Sequence, residues 1–232
     1  SDKKQIFLLD KFKKWGYQAI ILNLHKSDHF EDLLAQLKKK KCSIFMGPSG
    51  VGKTSVGKSI ATILNSCFFS SGSIYRSVAK FLLNNKNVQI EDLKIEIVSE
   101  QCNVNGVIFN EEDLYDNEVS VKSSEIAKKV GLRILVKDCL ISYFENLEKP
   151  LVIEGRDMGS VVFPDAEHKI YLDADLETRG KRREGQSNME ETIYDVKKRD
   201  FEDKNRLFSP LTIPEGALVI DNSKLSIDET ID

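Results

Sequence analysis

The sequence predicts a three-layer α/β/α fold built around a parallel sheet, and three observations predict it. The apolar run Ser43-Ile-Phe-Met46 leads directly into Gly47-Pro-Ser-Gly-Val-Gly-Lys53-Thr54, and a helix-patterned stretch from Ser55 to Leu64 follows. Short apolar runs recur at Cys67–Phe69, Leu151–Glu154, His168–Leu172 and Ala217–Ile220. Helical periodicity fills most of the intervals, and strand–helix–strand alternation gives parallel, right-handed units with helices on the sheet faces.

Taken in order, residues 4–15 place Ile6, Leu9 and Phe12 at helical spacing until Gly16 ends the pattern. Gln18–Leu24 reads as a buried strand. Ser27 or Asp28 can cap the next helix, which carries Phe30, Leu33, Leu34 and Leu37 on one face and delivers the chain to the strand at 43. After the Cys67–Phe69 strand, Ser70 opens a helix running to about Leu83. Residues 87–121 change character, with short alternating runs at Val104–Val107 and Ile108–Glu111 that read as a small antiparallel insertion. Ser123–Val130 and Leu132–Leu147 are helical by period. Glu177–Lys204 is a highly charged helical region between the last two strands.

At 232 residues, with 41% hydrophobic and 31% charged side chains, the chain suits one sizeable α/β core carrying an insertion. No apolar run reaches membrane-spanning length, and the N-terminus starts no leader pattern, so a cytoplasmic protein with no membrane partner is expected. Cys42, Cys67, Cys102 and Cys139 lie far apart without C-x-x-C spacing and read as reduced side chains. A net charge of −3 argues against a nucleic-acid partner. Residues 1–41 nevertheless carry ten lysines against five acids, so a +5 segment rides on a −8 body. The Lys38–Lys41 run reads as a solvated helix end. His25, His29 and His168 form no nucleophile or ligand arrangement.

The stretch from Gly47 matches the phosphate-binding pattern G-x-x-x-x-G-K-[ST] in full. Its glycines let successive backbone N–H groups turn inward around phosphate oxygens, and the following helix offers its positive N-terminal end to the anion. A P-loop fold that binds nucleoside triphosphate follows, with Gly47, Ser49, Gly50, Gly52, Lys53, Thr54 and Ser55 around the triphosphate. Lys53 is expected to reach the β/γ phosphates, and the Thr54 hydroxyl to hold Mg²⁺. The motif does not say what receives the phosphate.

From Ser70 onward four blocks resemble the bacterial cytidylate kinases of the nucleoside monophosphate kinase group. They are Ser71-Gly-Ser-Ile-Tyr-Arg76; Glu154-Gly-Arg-Asp-Met-Gly-Ser-Val-Val-Phe-Pro-Asp165; Lys169-Ile-Tyr-Leu-Asp-Ala174 with Arg179, Arg182 and Arg183; and Lys198-Arg-Asp-Phe-Glu-Asp-Lys-Asn-Arg206 followed by Ser209-Pro-Leu211. In family order they cover about residues 60–229. The resemblance implies transfer of the γ-phosphoryl of MgATP to CMP or dCMP by a monomer. It implies that Arg76, Arg156 and Arg206 meet the acceptor phosphate, that Ser71, Tyr75 and Asp157 form the acceptor pocket with Asp157 on the cytosine edge, and that Arg199 and Asp203 grip the ribose. Arg179, Arg182 and Arg183 resemble the lid arginines that close over ATP alongside Lys53. Such arginines neutralise charge spread over the transferring group.

The chain departs from that pattern in four places. Ser70 stands where the family usually has Asp, and Lys122 where an Arg usually contacts the base, exchanging a forked contact for a point charge. The Arg183–Arg199 interval is several residues shorter than the family's lid, and the chain stops at Asp232, where the family usually continues in a longer helix. Phosphorylation of UMP, or a hybrid that binds nucleotide and turns over poorly, are the alternatives.

Residues 1–42 carry a second resemblance. Phe12-Lys-Lys-Trp-Gly-Tyr-Gln-Ala-Ile-Ile21, the helix with Asp32-Leu-Leu-Ala-Gln-Leu37, and Ser43 through Ser55 are similar to the circularly permuted GTPases of small-ribosomal-subunit assembly. No N-K-x-D stretch precedes the P-loop and no D-x-x-G follows it, so the resemblance carries architecture without GTPase function. A ribosome-assembly module is the alternative from this part of the chain. The expected organisation is a helix–strand–helix unit over 1–42 packed on a kinase core over 43–232, with an acceptor-binding insertion at 87–121 and an arginine lid at 177–206. The two lineages would meet at about 47–60, and the strand at 18–24 would extend the sheet beside Ala217–Ile220.

Overall fold

The computed structural model describes residues 42–166, 168–184 and 193–231. The helix, strand and helix expected over 4–40, and the stretch 185–192 within the expected lid, lie outside them.

Five strands form one parallel sheet: β1 (Cys42–Met46), β2 (Cys67–Ser70), β6 (Leu151–Gly155), β7 (His168–Asp173) and β8 (Leu218–Asp221), in the order β2-β6-β1-β7-β8. All five were legible as apolar runs. β1 lies between β6 and β7, in register from Cys42 opposite Leu151 to Met46 opposite Gly155. Its residues alternate between two cores, as a period of two requires. Ile44 and Met46 join Phe69, Ile153 and Tyr171 on one face, while Phe45 joins Val152, Leu172 and Val56 on the other. A strand buried on both faces needs an apolar run, and β1 and β6 carry Ile44-Phe-Met46 and Leu151-Val-Ile153.

Helix α1 (Lys53–Ile63) covers the second face together with the short α7 (Ile227–Ile231), whose Ile231 packs against the same core. Helices α2 (Ser71–Asn84), α3 (Asn117–Ile126) and α4 (Val130–Glu145) contribute to the first core through Ile74, Val78, Val119, Ile126, Leu132 and Val136. The insertion is a three-stranded antiparallel sheet of β3 (Ile95–Val98), β4 (Gln101–Val104) and β5 (Val107–Ile108). It ends earlier than the sequence suggested. A 3₁₀ turn at Glu111–Leu114 follows, and α3 starts at Asn117 because the Asp116 carboxylate accepts from the Val119 N–H at 2.7 Å and caps it. The charged region resolves into α5 (Leu176–Glu184) and α6 (Ile193–Asn205). All four cysteines are free thiols, Cys42 and Cys102 buried. No helix among the described residues is long and apolar enough to cross a membrane.

Candidate active site

The carboxyl ends of β1, β2 and β6 open onto one cavity of about 660 Å³, the place where parallel sheets gather ligands. Its floor is the phosphate loop. Gly50 and Gly52 adopt φ of +79° and +87°, which only glycine takes without strain, and Gly52 caps α1 in that left-handed conformation. The first turn of α1 carries no acidic residue, so nothing cancels the positive end of the helix. Lys53 is buried, its Nζ donating to the Pro48 carbonyl at 2.7 Å. Burial and the Arg156 guanidinium hold it well below the ordinary lysine value, which Glu154 only partly offsets.

Oxygen donors gather beside the loop. Thr54 Oγ1 donates to Glu154 Oε1 at 3.3 Å, and the Ser70 hydroxyl donates to the same oxygen. A carboxylate with two hydroxyls at the mouth of a phosphate loop fits a hard divalent cation, which takes oxygen ligands. Among the described residues no group of three or more His, Cys, Asp or Glu is placed to hold a metal by itself. Such a cation would need phosphate oxygens as well.

The arginines divide by what they touch. Asp203 on α6 holds two of them, with Oδ2 receiving Arg156 Nε at 2.9 Å and Oδ1 receiving Arg206 Nη1 at 3.0 Å. Arg156 also donates to the Gly47 carbonyl at 2.7 Å, tying the end of β6 to the loop. Arg206 donates through Nε to the Ser209 carbonyl, while its Nη2 is buried without a partner. An orphaned guanidinium nitrogen in a cavity calls for an acceptor. Arg76 lines the same cavity, its Nη1 donating to Leu114 O at 3.0 Å and Ser120 Oγ at 2.8 Å. Ser71, Tyr75 and Arg199 line it too.

Two of the three expected lid arginines reach the loop. Arg179 and Arg183 stand four residues apart on one face of α5. Arg179 Nη1 donates to Ser49 O at 3.2 Å and to Asp200 at 2.5 Å, and Arg183 Nη2 donates to Ser49 Oγ at 2.9 Å. Arg182 points the other way, into the turn before α7, donating to the Asn222 and Leu225 carbonyls at 2.9 Å each. In this arrangement it anchors α5 to that turn and stays off the cavity wall.

Lys122 is also placed elsewhere. It pairs with Glu125 at 3.0 Å and lines a separate cavity with Leu82 and Ile126. The guanidinium beside Asp157 belongs to Arg133 of α4, with Nη1 to Asp157 Oδ2 at 2.7 Å, Nε to Ala127 O at 2.6 Å, and the Tyr75 ring 5.6 Å from its centre. Both partners are buried, and both line the main cavity. Asp200 and Glu154 are further site residues that the motif reading passed over. A signal existed for Arg133, an arginine three and seven residues before Val136 and Leu140 on an inward helix face. For Glu154 the signal was an acid at the end of a wholly apolar strand.

A family model described as Cytidylate kinase matches residues 44–232, and one described as RsgA GTPase matches residues 1–67. The chain is 34% identical over 203 residues to the cytidylate kinase of Mycoplasmopsis pulmonis, a match covering 80% of this chain and 90% of that protein. It is 36% identical over 202 residues to that of Mycoplasmopsis synoviae, covering 80% and 92%. Against the cytidylate kinase of Clostridium botulinum it is 33% identical over 201 residues, again covering 80% and 92%. The chain belongs to the cytidylate kinase family.

Proposed function

We propose that the protein transfers the γ-phosphoryl group of MgATP to the phosphate of CMP or dCMP, yielding ADP and the pyrimidine diphosphate. The observation that carries this reading is the convergence of Arg76, Arg156 and Arg206 on the cavity that the phosphate loop floors, with Arg206 Nη2 buried and unpartnered. The acceptor phosphate already carries the nucleophilic oxygen, so no side chain has to act as a strong base. The residues have to bring two polyanions together and neutralise them. Lys53 and the loop amides take the donor phosphates. Arg183, which lines the cavity and is held on Ser49, would meet the charge that develops on the group in flight, with Arg179 behind it on Ser49 and Asp200, and the arginine cluster would fix the acceptor in line. Thr54, Glu154 and Ser70 would hold Mg²⁺, which when bound neutralises phosphate charge as a Lewis acid.

The Arg133–Asp157 pair supports cytosine as the base. A carboxylate next to a guanidinium offers an acceptor for the exocyclic amino group and donors for the ring nitrogen and carbonyl. Uracil would set a carbonyl oxygen against Asp157. Arg133 supplies the forked contact that Lys122 lacks. Four free thiols suit a reducing, cytoplasmic setting, and one copy holds a complete set of these groups, so a monomer suffices.

A coupled ADP-release assay across CMP, dCMP, UMP and AMP tests the reading. CMP and dCMP are expected to exceed UMP and AMP in kcat/KM by at least about tenfold, a difference of about 1.4 kcal/mol. Turnover with no monophosphate, together with GTP hydrolysis stimulated by small ribosomal subunits, would overturn it.

A further inference from the structure

We propose that Tyr115 is a positioning residue for the acceptor phosphate, its aromatic face holding the Arg76 guanidinium at the cavity wall. The inference rests on the reading of Arg76 as an acceptor-phosphate ligand. Tyr115 closes the 3₁₀ turn Glu111–Leu114, and its ring centre lies 4.7 Å from the Arg76 guanidinium carbon. Three elements meet there. Arg76 comes from the first turns of α2, Leu114 O and Tyr115 from the end of the 3₁₀ turn, and Ser120 from α3.

The geometry divides the constraint among them. The Leu114 carbonyl and the Ser120 hydroxyl both bond Nη1, which anchors one corner of the guanidinium. The π face adds a contact across the guanidinium plane, through the attraction of a cation to the ring's negative face. Burial raises the phenol above its ordinary value, so the ring stays neutral at working pH. Tyr115 lines the main cavity together with Arg76, Glu154 and Arg183. No part of the phosphate-binding motif or the four kinase blocks includes this tyrosine.

Steady-state kinetics of the full chain with CMP varied at saturating ATP, and the reverse, test the proposal in Tyr115→Leu, Tyr115→Met and Tyr115→Phe. Leu and Met keep apolar bulk without a π face and are expected to raise the KM for CMP about tenfold while the KM for ATP moves less than twofold. Tyr115→Phe should recover most of the lost affinity. Added to Arg76→Ala, Tyr115→Leu should cost nothing further, because the ring acts through that guanidinium. An unchanged KM for CMP in both Leu and Met overturns the proposal, as does a Phe variant as poor as Leu, or losses that multiply in the double variant. Arg76→Ala by itself separates the two levels. If its KM for CMP does not rise, the acceptor-phosphate reading of Arg76 fails first.

Discussion

Lys53 sits under the phosphate loop with its ammonium on the Pro48 carbonyl, and burial together with Arg156 keeps its proton loosely held. A polyphosphate in the loop places negative charge beside it and favours the charged form, reversing that shift. ATP binding should therefore take up protons, and the uptake should grow as pH rises through the depressed Lys53 value. Calorimetry at about pH 8.5, above the ~6 at which phosphate groups lose their last proton, isolates the lysine. Heats that change with the buffer's ionisation enthalpy are expected for the parent and not for Lys53→Met. Buffer-independent heats in the parent would refute the coupling. At this scale legibility tracked motif density. Lys53 and Thr54 are fixed by spacing, and Arg156 and Arg206 by dense local blocks. Arg133 is not, because it approaches Asp157 from a helix 24 positions away in sequence, and helical spacing marks it as inward-facing without naming its partner. Lys122 lies on a face of α3 that opens onto the separate cavity.

Helix α3 shows how an element's start can serve the site. Its cap, Asp116, takes the Val119 amide at 2.7 Å and Lys80 at 3.1 Å, and four residues on Ser120 bonds Arg76. The Val119 hydrogen bond, aided by Lys80, lowers the Asp116 value. A carboxyl depressed in the folded state contributes stability above its unfolded value, and that contribution is lost as pH falls through the folded one. Asp116→Ala should therefore cost about 1 kcal/mol at neutral pH, the usual worth of a cap. Asp116→Asn keeps a capping oxygen and should lose less, while flattening stability on the acid side below pH ~4. Thermal melts of the three proteins between about pH 3 and 7 measure this, and an alanine variant as stable as the parent at pH 7 would remove the cap from the account. The core strands were readable because two-sided burial forces unbroken apolar runs. The true start of α3 was missed because its first turn is polar and its signal is a single aspartate. The pairing of Arg179 with Arg183, and the diversion of Arg182 to Asn222, follow from helical period once α5 is in place, though composition alone could not orient that helix.

For the whole molecule the open question is how the first 41 residues relate to the kinase core. The two family models overlap at residues 44–67, a span holding β1 from Ile44, the phosphate loop, α1 and the first residue of β2. A joint between two lineages is physically feasible there, since both need the same backbone cradle. We propose that the N-terminal unit completes the core. β8 is the last strand of the described sheet, and Val219 is 48% exposed. The apolar run Gln18–Leu24 has the composition to pair with that edge. The stripe Phe30, Leu33, Leu34 and Leu37 has the spacing to pack on the sheet during a right-handed return to Cys42. Deleting residues 1–41 should then cost at least about 2 kcal/mol, a fall in Tm of roughly 4–8 °C for a chain of this size. Hydrogen exchange gives the local readout. Amides of β8 should be protected in the full chain and exchange quickly in the truncated one, while β1 and β6 amides keep most of their protection because their partners remain. A truncated protein with the parent's Tm and the parent's β8 protection would show instead that the first 41 residues are an appendage to a kinase already complete without them.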